Sequence, residues 1–131
     1  MVEKVGTYGI RKNILIGQES YYLALPAIIT GTASDVILAG TPLAGDITDR
    51  DTGFTVVDKV TVGEGQNAVD TYPAVGVLLH DVTLDSDGNA NGTIVLAGCV
   101  DLLKLDENVV TLIETVTEGL EKIIFVEGSA Y

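Results

Sequence analysis

Tryptophan is absent, cysteine and histidine occur once each, and only 7 of 131 residues are lysine or arginine. Each shortage removes a class of explanation. A single cysteine, Cys99, allows no intrachain disulfide. One histidine and one cysteine cannot make a Cys/His zinc set. Nineteen acids against seven bases give a formal charge of −12. Binding nucleic acid requires Lys and Arg to displace counterions, so nucleic acid is not expected as a direct partner. The first ten residues, "MVEKVGTYGI", lack the apolar core of a signal peptide, and no apolar run approaches a membrane span. The expectation is a soluble protein made in the cytoplasm, with no membrane partner.

Catalytic patterns are missing too. Any Ser-His-Asp set would have to use His80, which reads as a residue of an apolar strand with Asp81 on the opposite face. Cys99 lies in "TIVLAGCV" and reads as a small buried hydrophobe. No "GxSxG" occurs, and "GEGQNAVDTYP" lacks the Lys and Ser/Thr of a phosphate loop. The acids read as a solvated surface. The chain is not expected to be an enzyme or to hold a cofactor.

What the chain does contain is apolar residues at 47%, 15 glycines, and many Val, Ile and Thr, with aromatics at only 5%. That mixture predicts one β-rich domain with tight turns. The charge is uneven. Residues 1–35 carry three acids and three bases, so the whole −12 lies in residues 36–131. Residues 1–34 read as an extended arm, with Lys4, Arg11 and Lys12 as its bases and an apolar cluster at Tyr21, Tyr22 and Leu23. Such an arm adds a strand either to its own sheet or to another chain's. Its first dozen residues are expected to reach away from their own domain.

Within residues 35–131, "VILAGTPL" predicts a strand entering a Gly-Thr-Pro turn, and "GDITDRDTG" a loop or hairpin tip. "FTVVDKVTV" predicts a strand, and "GEGQNAVDTYP" a loop. "AVGVLLHDVTL" and "GTIVLAGCV" predict the two strands of a hairpin over 74–100. Between them, Asp85, Asp87 and Asn89 alternate like the first ligands of a calcium loop. Such a loop needs Gly at position six and Glu at position twelve; Ala90 and Leu96 stand there. The segment Asp85–Gly92 therefore reads as a turn, with Gly88 and Gly92 free to take positive φ, and no metal site is expected. Then the period changes. Val109, Leu112, Ile113, Val116 and Leu120 fall on one helical face over about 106–118, with Asp106 as N-cap and Gly119 as the stop. "KIIFVEG" predicts a closing strand.

The segment 74–105 resembles the phage head decoration proteins, the lambda decoration-protein group and related head-fiber or capsid-cement proteins. The matching positions are Ala74, Val75, Gly76, Val77 and Leu78, then Asp81 and Val82, the acidic turn, and Gly98 with Val100. Upstream, Ala39, Gly40, Thr41, Leu43 and, displaced by one, Gly45 fit the family's Ala-Gly-Thr-x-Leu-Gly strand. The resemblance spans about residues 36–127, and the lambda arm, rich in Pro, Ala and Ser, is unlike residues 1–34 here. The fold it implies is mainly β, β-clip-like or a small barrel or sandwich, with one C-terminal helix and a closing strand. It divides the chain into an arm, 1–34, and a decoration-type β domain, 35–131. It also implies a homotrimer on the outer surface of the expanded icosahedral head in the virion, with the major capsid protein as partner. The arm departs from the family, and its own bases and apolar residues (Lys4, Arg11, Lys12, Tyr21, Tyr22) make it the expected contact with the shell. The alternatives are the base of a head fiber or a host-surface-binding virion protein, and, further off, a β-clip enzyme.

Overall fold

The computed structural model describes residues 14–16 and 22–127. The domain is mainly β, with one helix near the C-terminus and a closing strand. Its strands are β1 (Leu23–Thr30), β2 (Val36–Ile37), β3 (Pro42–Ala44), β4 (Thr55–Val56), β5 (Val60–Val62), β6 (Val69–Thr71), β7 (Gly76–Leu78), β8 (Val82–Thr83), β9 (Asn89–Asp101) and β10 (Ile123–Val126). The helix α1 spans Glu107–Thr115.

The strand β9, 13 residues long, organises the molecule. Its first part pairs antiparallel with β1, from Thr30 opposite Asn89 to Leu23 opposite Ala97. In its middle, Ile94 and Val95 also pair with Leu78 and Val77 of β7. Its last part pairs parallel with β10 and takes an antiparallel bridge from Leu15 to Val100. The sheet runs β1-β9-β7-β3-β4. It closes on itself at one point, where Phe54, just before β4, bridges Ile29 of β1. The Phe54 amide donates to the Ile28 carbonyl and the Thr30 amide donates to the Phe54 carbonyl, both at 2.8 Å.

Alternation along β9 divides the core in two. Ile94 joins Phe54, Ile29, Leu43 and Leu78 in one cluster. Val95 faces the other way and joins Ile14, Val77, Val100, Leu105, Val109 and Ile123 in a second cluster, which α1 and β10 cover. The helix starts where Asp106 accepts a hydrogen bond from the Asn108 amide at 2.9 Å. Of its expected apolar face only Val109 is fully buried; Leu112 and Ile113 are half-buried, as is Val116 just beyond the helix. The helix ends at Thr115, not at Gly119, because Val116 is already extended. The next residues turn back to bridge the segment between β6 and β7: Thr117 donates to the Tyr72 carbonyl and Ala74 donates to the Glu118 carbonyl.

Several expected elements are divided or shifted. Residues 23–30 of the expected arm form β1, the end strand of the body's own sheet, paired with β9. "FTVVDKVTV" splits into β4 and β5. "AVGVLLHDVTL" splits into β7 and β8, because the chain bends at 79–81 and β8 leaves to pair with β2. "GEGQNAVDTYP", read as loop, contains β6.

Candidate functional site

The motif residues that carry the family resemblance do structural work, and most of it concerns one turn. The turn 38–41 is fastened onto β7 and the bend after it. The Gly40 amide donates to the Leu78 carbonyl at 2.7 Å, and the Leu78 amide donates to the Thr41 carbonyl at 3.0 Å. The Thr41 hydroxyl, on a buried residue, donates to the Leu38 carbonyl at 2.6 Å. The Ala39 amide donates to the Asp81 carboxylate at 2.6 Å. Gly40 has φ +89, and an added Cβ would meet the Leu105 side chain at 2.5 Å, so this position requires glycine twice over. At Gly76, opposite Leu43, an added Cβ would run into the Val95 carbonyl, which is how β7 and β9 come so close. The half-buried Val75 donates its amide to the Leu43 carbonyl at 2.8 Å. The buried Ala74 holds the Glu118 carbonyl. Gly98 lies apart from these, opposite Ile123 of β10.

The expected arm contacts divide. Lys4, Arg11, Lys12 and Tyr21 lie outside the described residues. Tyr22 is half-buried against the cluster of Ile14, Val95 and Val100, so it packs on its own domain.

The acidic turn is a turn, but shorter than expected. Asp85 accepts backbone hydrogen bonds from Asp87 at 2.8 Å and Asn89 at 3.0 Å. These donors, Asn89 first, hold its carboxyl below the ordinary carboxylate value. Asp46 is lowered in the same way by the Thr48 hydroxyl and amide. Gly88 has positive φ, whereas Gly92 is a strand residue opposite Ala27, so the tip is Asp85–Gly88. Among the described residues no three His, Cys, Asp or Glu side chains are grouped to hold a metal ion. His80 sits in the bend after β7, not within a strand. Cys99 is half-buried rather than buried, opposite Ile124.

Two features could receive a partner. A groove of about 460 Å³ lies between β2, β4 and α1, lined by Val36, Ile37, Val56, Leu84, Val109 and Leu112, with Asp35 as its titratable side chain. It can hold apolar groups but carries no acid-base pair. The second feature is the β5–β6 ribbon, which forms a two-stranded sheet of its own. Val62 pairs with Val69 and Val60 with Thr71, so these four share one face. The three valines are 57%, 58% and 47% exposed, in that order of pairing. The opposite face is polar: the Thr61 hydroxyl donates to Asp70 at 2.9 Å, and Lys59 lies 3.9 Å from the same carboxylate. The alternation in "VTV" announces β5; its partner was hidden because Asp70 and Pro73 read as loop.

Compared with protein-family models, with curated proteins and with solved structures, the chain finds no match.

Proposed function

We propose that this protein is a capsid decoration protein, which binds the outer surface of the expanded icosahedral phage head and stabilises it. One observation carries the reading. Residues that match the decoration family in two separate stretches, Ala39, Gly40 and Thr41 in one and Leu78 and Asp81 in the other, meet in a single hydrogen-bonded turn. Matches scattered by chance along a chain have no reason to converge. The convergence supports a shared architecture, and through it the shared role.

The physics of cementing fits a domain of this kind. A protein that binds the expanded shell and not its precursor stabilises the expanded state by mass action. Each site need contribute only a few kcal/mol, because the shell repeats it many times. The task calls for surfaces rather than a reaction centre, and the groove and ribbon are surfaces. A homotrimer is the assembly this reading expects, with the major capsid protein as partner. The acidic body limits sticking to DNA and to other polyanions. The test is to add the purified protein to heads of the phage that encodes it, before and after expansion, and to image the particles.

A further inference from the structure

The β5–β6 ribbon is hard to explain as a part of the domain's own architecture. An isolated two-stranded hairpin is marginal in water. This one keeps Val60, Val62 and Val69 together on an exposed face, and none of the three belongs to either core cluster. Every residue from Asp58 to Asp70 is exposed. Scattered surface valines need no explanation, but three on one face of a projecting ribbon make a patch to be covered.

Charge decides what covers it. Beside the valines, the entry to the ribbon and its turn carry two acids, Asp58 and Glu64, while Asp70 and Lys59 pair on the opposite face. A second copy of this chain docking ribbon to ribbon would bring the same two acids to that contact and be repelled there. The complementary surface is apolar at its centre and ringed by Lys or Arg. We infer that the valine face of the β5–β6 ribbon docks on such a patch, apolar with a basic rim, on the outer surface of the shell subunit. This rests on the decoration reading and assigns it a contact surface.

The test uses the full chain with Val60→Thr, Val62→Thr and Val69→Thr combined. Threonine has nearly the shape of valine and equal strand propensity, so the ribbon keeps its form while its face becomes polar. The variant should melt with the wild type and sediment at the same mass, and should bind expanded heads at least about tenfold more weakly. A second variant, Asp58→Asn with Glu64→Gln, should flatten the salt dependence of head binding. Undiminished binding by the triple variant overturns the ribbon proposal and leaves the decoration reading standing. A changed mass in solution overturns it by showing the face to be a self-contact. An unfolded triple variant overturns it by showing the valines to be needed within the chain. An unchanged salt dependence in the second variant overturns the basic rim. Wild-type protein that binds no heads removes the decoration reading itself.

Discussion

The amide of Ala39 donates to the carboxylate of Asp81, 42 residues away in sequence, across 2.6 Å. This bond fastens the turn before β3 to the bend that parts β7 from β8. It is charge-assisted and has no backbone substitute, since the Ala39 amide faces a side chain. Asp81→Ala should cost about 1–2 kcal/mol in urea unfolding. Asp81→Asn, which keeps an acceptor, should recover part of that. Equal stability of all three proteins would mean that the turn holds without the bond.

Phe54 closes the sheet. It is fully buried and bonded through its backbone on both sides to β1. Its ring also lies where a Cβ of Gly45 would be. Phe54→Ala should cost about 3–5 kcal/mol, because the small cluster around it has few ways to collapse into the space. The check is the denaturant midpoint at unchanged m-value.

The helix gives an ordering that runs against side-chain size. Val109 is 5% exposed within the second cluster, whereas Leu112 is half-buried along the groove. Val109→Ala should cost about 2 kcal/mol, and Leu112→Ala about 1 kcal/mol despite removing more atoms. The reverse order in thermal or urea unfolding would show Leu112 to be core.

Acid should reveal the turn at Asp85. Its folded-state value is lowered by the Asn89 and Asp87 amides, so the ionised form is favoured in the fold. That contribution is fully present above the unfolded value, ordinarily 3.8, and is lost as pH falls through the lower folded value. Wild type should therefore exceed Asp85→Asn in stability by a constant amount near neutrality. The gap should close below the ordinary carboxylate value. A gap that persists unchanged into strong acid would contradict this origin.

How much of this was legible in the sequence depended on whether the signal was local. The N-cap Asp106 and the closing strand at Ile123–Val126 are local and were read from the residues. The turn at Asp85 was legible for the same reason, though Asn89 and Gly92 belong to β9. The breaks in the long apolar runs were not. "AVGVLLHDVTL" bends at 79–81 because Asp81 is held by an amide from elsewhere in the chain, and propensity carries no trace of that. Burial along α1 was overestimated because periodicity marks a face but not how deeply it is covered. The ribbon's second strand was missed because Val69–Thr71 is short and its acid and neighbouring proline resemble a loop.

The measurement closest to the central claim is co-sedimentation of the purified protein with heads of the encoding phage, expanded and unexpanded, at matched concentration. The account predicts saturable binding to the expanded heads, little to the unexpanded ones, and a raised disruption temperature for the decorated particles. Equal binding to both forms, or binding to neither, would contradict it.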